Sequence, residues 1–336
     1  MLESAIKKIV KRFYSKGQGE PSEKVTVAAF GKHPAWDDHI DDIGLDTDTL
    51  ITAKRILYVQ GIGGNIDSGS WSKLENNQQI ENFNHVFVWY MGRNIIVGRL
   101  WSSRDGKGRT SYPMIVCVQC CQLSLKWIFE NIVPGLEKIE SACTETTSAD
   151  DVRTIMENAQ KEFRQLAKQS PPCTDLLEIN YVALNKIAEC FESERNHVGL
   201  LRILYHIERE SERYKPDGAE SKKNKILTLR PILLRVPTSP PPVPEGIVWW
   251  IAFLLEKLGA NVPLLILMPQ KNTWIDIIIG EPAAAQLYCL RAPLQGVPLT
   301  SSVPYNMDTE FISRTDKLIE NSRNSGKVAT PTEPSN

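Results

Sequence analysis

The sequence predicts an α/β (α+β) protein with a mainly antiparallel central sheet and helices on both faces. Three observations carry this. Val25 to Phe30 is a short apolar run rich in β-branched and small residues; it stops at Gly31, and Pro34 has no backbone donor, so a strand ends and a turn begins. The stretches HVFVWYM, IIVGRLW and YPMIVCVQC read as a three-strand meander, with Gly92 and Asn94 supplying the first tight turn. In its first strand Val86, Val88 and Tyr90 fall on one side and Phe87, Trp89 and Met91 on the other, so both faces are apolar and both need cover.

Taken in order, Leu2, Ile6, Ile9, Val10 and Phe13 stand near helical spacing, with Lys7, Lys8, Lys11 and Arg12 on the other faces. The expectation is a terminal helix docked on its own domain. A basic helix for a membrane surface or an acidic partner is the alternative, and membrane contact is not expected outside residues 1–16. GQGEPSEK follows as a flexible joint. After the first strand, Asp46 or Thr47 caps a helix to about Val59, with Leu50, Ala53 and Leu57 on one face. The GIGGN cluster is expected to terminate it, because glycines after a helix, not after a strand, lack the context of a dinucleotide fingerprint. Residues 72–83 are polar and suit a short helix or loop.

Candidate helices then cover 124–140 with a bend at Pro134, 149–169 with Ser148 and Asp151 forming a capping box, 174–192 capped by Thr174, and 194–213. In the last of these, Leu200, Leu201, Leu204 and Ile207 mark a buried face. KPDGAESKKNK reads as an exposed loop. ILTLRPILLRV is strand material whose Pro231 points to an edge or a bulge, and PTSPPPVPE is a stiff connector. An apolar helix (EGIVWWIAFLLEKLG), two strands (VPLLILM and WIDIIIG) and a final helix (EPAAAQLYCL) follow. They form a second small sheet or extend the first. From Asn321 the tail is expected to be disordered. The organisation is therefore 1–22 basic helix and joint, 23–122 sheet-rich domain, 123–216 helical region, 217–300 α/β region, and 301–336 a partly disordered tail.

Composition limits the function. A net charge of −1 over 336 residues offers no global field for nucleic acid or an anionic surface. No apolar run approaches a membrane span. The N-terminus has no uninterrupted apolar core or small-residue cleavage site, so no secretory signal is expected. Seven cysteines without a regular framework read as reduced thiols of a cytoplasmic protein. Cys117, Cys120 and Cys121 look like the start of a zinc knuckle, yet residues 117 and 120 of a strand face opposite ways and no second pair is near.

The polar loop after the first strand is where chemistry would sit. His33, Asp37, Asp38 and His39 make the alternative of a metal-dependent hydrolase, with histidines and carboxylates as ligands. The competing reading has Asp38 accepting backbone hydrogen bonds in the turn while the histidines are exposed or packed. His85, His197 and His206 do not supply a second cluster. Gly31-Lys32 lacks the upstream glycine and following Ser or Thr of a phosphate loop. Arg104-Asp105-Gly106-Lys107-Gly108-Arg109 is a basic loop that suits a phosphate, a phosphorylated partner, or nothing but solvent. No nucleophile elbow, kinase signature or paired-carboxylate site is present, so no enzyme, metal or cofactor is expected.

FGKHPAWDDHI together with DGKGRTSYPMIV resembles the TagF-like accessory proteins of the bacterial type VI secretion system. The resemblance covers residues 27–119. It matches a Gly-Lys-x-Pro turn to Gly31, Lys32 and Pro34, ending in Asp38. A later Asp-x-x-Gly-Arg loop and aromatic-Pro strand match Asp105, Gly108, Arg109, Tyr112 and Pro113. The sequence departs from the family by one extra residue between Arg109 and Tyr112, a long helical middle, and histidines at positions 33 and 39, which are usually apolar. The resemblance implies a longin- or profilin-like N-terminal unit with a helical insertion. It also implies a non-enzymatic post-translational regulator that binds secretion-system components, notably a forkhead-associated scaffold protein. The matched residues would then be its partner-binding positions, with Arg109 either a partner contact or a structural salt bridge. An adaptor using the longin-like surface for another partner, such as a GTPase, is the remaining alternative.

Overall fold

Seven strands form one sheet: β1 (Val25–Gly31), β2 (Asn84–Met91), β3 (Asn94–Ser102), β4 (Pro113–Cys121), β5 (Ile232–Pro237), β6 (Leu264–Pro269) and β7 (Trp274–Ile279). The order across the sheet is β1-β4-β3-β2-β6-β7-β5, and its described pairings are all antiparallel. This computed structural model describes residues 23–74, 82–92, 94–171, 183–191, 194–212, 231–238, 244–259 and 262–327. Pairing of β2 with β6, from His85 opposite Pro269 to Tyr90 opposite Leu264, settles the organisation. The C-terminal strands extend the first sheet.

The two-sided apolar pattern of the meander is realised as two cores. Val86, Val88 and Tyr90 join a core under α3 (Leu125–Asn131), α4 (Val133–Glu145), α5 (Ala149–Lys168), α6 (Ala183–Glu189), α7 (Glu194–Glu212) and α8 (Pro244–Leu258). Phe87 and Trp89 join the opposite core, under α1 (Asp48–Ala53), the π-helical turns that follow it, and α9 (Ala284–Leu287). The strands are buried along nearly their whole length, as two covered faces require.

Side chains cover part of each sheet edge. On β1, the Val27 N–H donates to Gln160 Oε1 at 2.8 Å and Gln160 Nε2 donates to the Val25 carbonyl at 3.1 Å, so one amide of α5 replaces a neighbouring strand. Ala29 and Ile43 exchange two backbone hydrogen bonds beside it. On β5, which begins directly after Pro231 as a proline-led edge should, the Arg235 N–H donates to Thr300 Oγ1 at 3.0 Å.

Several elements differ from the sequence expectation. The helix capped by Thr47 does not stop at GIGGN. It widens into π-helical turns over Lys54–Gly63 and continues as α2 (Gly64–Asp67). Gly61 serves packing: a Cβ there would lie 2.1 Å from Leu287 Cδ1 and 2.9 Å from the Ile56 carbonyl oxygen, so α9 packs on bare backbone at this point. The helix expected over 124–140 is two helices that break at Ile132, with Pro134 in the first turn of the second, where a missing N–H costs nothing. Ser148 does cap α5, but Asp151 returns to Thr146 Oγ1, which in turn accepts from the Ser148 N–H. EPAAAQLYCL is only a four-residue helix and a 3₁₀ turn, and it is not the last helix. The expected tail carries α10 (Thr309–Lys327), held by a buried stripe of Phe311, Thr315 and Ile319 at four-residue spacing. Expectations for residues 1–22, Thr174, 215–225 and most of the proline connector lie outside the described residues.

One buried ion pair fixes the C-terminal part. Arg235 donates from Nε and Nη2 to Asp276 at 2.7 and 2.8 Å. Its remaining donors reach the carbonyls of Cys289, Ala292, Pro293 and Val297 at 2.8–3.2 Å. The segment after α9 therefore folds around a single guanidinium. Burial pushes the Asp276 carboxyl up while the Arg235 hydrogen bonds oppose it. We expect Arg235→Met, which strands the carboxylate and four carbonyls, to cost roughly 3–5 kcal/mol in chemical denaturation. A loss below about 1 kcal/mol would mean that the segment holds its shape without the arginine.

Candidate functional site

The end of β1 and the connection between β3 and β4 meet at one place. Gly31 has φ +115°, and a Cβ there would lie 2.3 Å from the Pro113 carbonyl oxygen, so only glycine lets β1 end against β4. The Lys32 N–H donates to that same carbonyl at 3.1 Å, and the Ile40 N–H donates back to the Gly31 carbonyl at 2.8 Å. Residues 32–39 thus leave and return as a closed loop. The 104–109 loop docks on it: the Gly106 N–H donates to the Trp36 carbonyl at 2.6 Å, and a Cβ at Gly106 would come within 3.0 Å of Asp37 Oδ1.

A chain of charges joins the two loops. Lys32 and Asp105 are both buried and form an ion pair. Asp105 Oδ1 accepts from the N–H groups of Lys107 and Arg109 at 3.0 and 2.9 Å, an arrangement that shapes its own loop. Asp105 Oδ2 also takes Arg109 Nε at 2.6 Å. Arg109 Nη2 then crosses to the Asp37 carbonyl at 2.8 Å and to Asp38 Oδ1 at 3.0 Å. Burial works against ionising Asp105, but the donors from Lys32 and Arg109 outweigh it and hold the carboxyl well below the usual carboxylate range.

The first loop is also bolted to the helices. Buried His33 accepts from the Ala35 N–H at Nδ1, which leaves Nε2 carrying the proton that it donates to the Cys143 carbonyl at 2.8 Å near the end of α4. Burial lowers its pKa, so it is a neutral tether. Trp36 donates to Asp41 at 3.1 Å, and Arg153 of α5 lies 5.6 Å from the Trp36 ring while pairing with Asp41 and Asp150. Beside the charges, the rings of His39, Tyr58 and Tyr112 contact one another with centroids 5.2–5.7 Å apart.

The residues singled out by the sequence divide by exposure. Gly31, Lys32, Asp105 and Pro113 are buried, and Pro34 and Tyr112 are half-buried. Asp38, Gly108 and Arg109 are exposed and face solvent. The acid that accepts backbone hydrogen bonds is Asp105 and not Asp38, because only Asp105 sits inside the loop whose amides it collects; Asp38 accepts from the Arg109 side chain. Both open readings of Arg109 hold geometrically, since it binds a buried carboxylate and is half-exposed. His33 and His39 do not converge: both ring nitrogens of His33 engage backbone groups. Among the described residues no three His, Cys, Asp or Glu side chains are placed to hold a metal ion. Cys117 and Cys120 lie on opposite faces of β4, as strand geometry requires, and burial pushes the Cys117 thiol up to about 12. Arg153 and Tyr58 were not foreseen, and Gly106 was named only as a member of the basic 104–109 loop, without its contact to the first loop.

The pH dependence follows from Asp105. Its ordinary pKa is 3.8 and the folded value is lower, so its contribution is complete above about pH 4 and is lost as the pH falls toward the folded value. We expect Asp105→Asn to be less stable at neutral pH and to lose less on acidification below pH 4, measured by urea unfolding at several pH values. An unchanged acid limb would contradict the assignment.

Comparison with known protein families and with curated proteins found no match to this sequence.

Proposed function

We propose that the chain is a non-enzymatic regulatory protein that binds other proteins through the joined 32–39 and 104–113 loops. The observation that carries this reading is the Lys32–Asp105–Arg109–Asp38 chain. Its buried half fixes the backbone of both loops, and its exposed half presents a guanidinium and carboxylates to solvent. A pre-ordered surface of this kind loses little conformational entropy on binding. The resemblance of residues 27–119 supplies the context: a cytoplasmic accessory protein of a bacterial type VI secretion system, with a forkhead-associated scaffold protein as the first partner to test. The metal-dependent hydrolase reading gains no support, because His33 is committed to backbone hydrogen bonds.

Arg109 separates a docking role from a purely structural one. Its side chain is half-exposed, and Lys32 still compensates Asp105 when it is removed. Arg109→Ala is therefore expected to cost only about 1 kcal/mol, an ionic hydrogen bond discounted for solvent screening. Partner capture by the scaffold protein should fall at least tenfold in the same variant. Full binding by Arg109→Ala would remove this surface from consideration.

A further inference from the structure

Tyr58 is an anomaly beside the charged loops. It lies on the π-helical turns over Lys54–Gly63, and local π-helix is frequent at functional sites. Only 4% of the residue is exposed, and among the described residues its hydroxyl has no hydrogen-bond partner. A buried phenol without a partner destabilises the fold. Phenylalanine would fill the same volume without that cost, so the hydroxyl answers to something other than folding.

What surrounds it identifies the missing group. Tyr112 and His39 lean on the Tyr58 ring edge-on or tilted, and each is partly open to solvent. Asp38 and Asp67 are exposed carboxylates whose charge reaches these phenols: burial first, then the neighbouring phenol and Asp38, push Tyr58 up, and burial with Asp67 and Asp38 pushes Tyr112 up. Asp38 already faces Arg109 Nη2 at 3.0 Å, His39 Nδ1 at 3.1 Å and Lys32 Nζ at 3.6 Å, and Lys32 lies 6.0 Å from the Tyr112 centroid. Asp67 is therefore the carboxylate left for a newcomer; the rings offer π faces, and the phenol oxygen has free lone pairs. A planar cation meets all three.

We infer that His39, Tyr58 and Tyr112, rimmed by Asp38 and Asp67, receive an arginine side chain of the partner protein. The guanidinium stacks on the Tyr112 and His39 rings, pairs with Asp67, and donates to Tyr58 Oη once the two outer rings part. This rests on reading the loops as a docking surface, but the two fail separately. The test below needs no partner, whereas docking itself is decided by Arg109→Ala.

The experiment uses the full chain with tyrosine-labelled NMR and thermal melting. N-acetylarginine amide is titrated in, with N-acetylcitrulline amide as its neutral isostere. Saturable shifts of the Tyr58 and Tyr112 resonances are expected with the arginine compound alone. In Tyr58→Phe the response should weaken about fivefold, the loss of one hydrogen bond, while the melting temperature stays level or rises. A lower melting temperature for Tyr58→Phe would mean that the hydroxyl serves the fold, and equal responses to arginine and citrulline, or none to either, would overturn the cation site.

Discussion

The buried pair of Lys32 and Asp105 is the constraint on which the rest of the site depends. An isolated charge is costly to bury, so each of these residues can be inside only because the other is. Lys32 begins the turn out of β1, and Asp105 stands early in the loop out of β3. Their pairing therefore sets the distance between two segments that the sheet alone leaves independent. Asp105 then organises its own loop by collecting two amides, and Arg109 carries the network outward to Asp38. The same side chains order the surface and decorate it.

A similar device recurs at the other end of the sheet. Arg235 and Asp276 sit inside the core, and the leftover donors of the arginine organise four carbonyls, one in the 3₁₀ turn and three in the irregular segment after it. In both places a buried charge fixes a loop where apolar packing has no periodic pattern to use. The consequence differs. The Arg235 centre is closed on all sides, whereas the Lys32 centre opens through Arg109 to solvent, and that opening makes the second one a candidate for recognition.

The sheet was legible in the sequence because its strands carry two-sided apolar runs with clear stops. The alternation of Val86, Val88 and Tyr90 against Phe87, Trp89 and Met91 maps directly onto the two cores. The glycines of 61–64 misled because a helix end and a helix–helix close approach draw on the same residue. The helix over 309–327 was hidden by a polar composition whose buried face is a narrow stripe. In the site, the convergence of the two loops was suggested only by the family resemblance. The burial of Lys32 was not readable, since a lysine is normally exposed and its partner lies 73 residues away. The histidines looked like ligands because sequence cannot reveal that a backbone carbonyl of α4 stands opposite His33.

Lys32 and Asp105 hold the 32–39 and 104–109 loops together as one unit. Hydrogen exchange by mass spectrometry on Lys32→Met tests it most directly. In this variant the amides of Gly106, Lys107 and Arg109 are expected to lose protection together with those of residues 36–40, while β2, β3 and β6 keep theirs. Unchanged protection in the 104–109 loop, or loss confined to one loop alone, would contradict it.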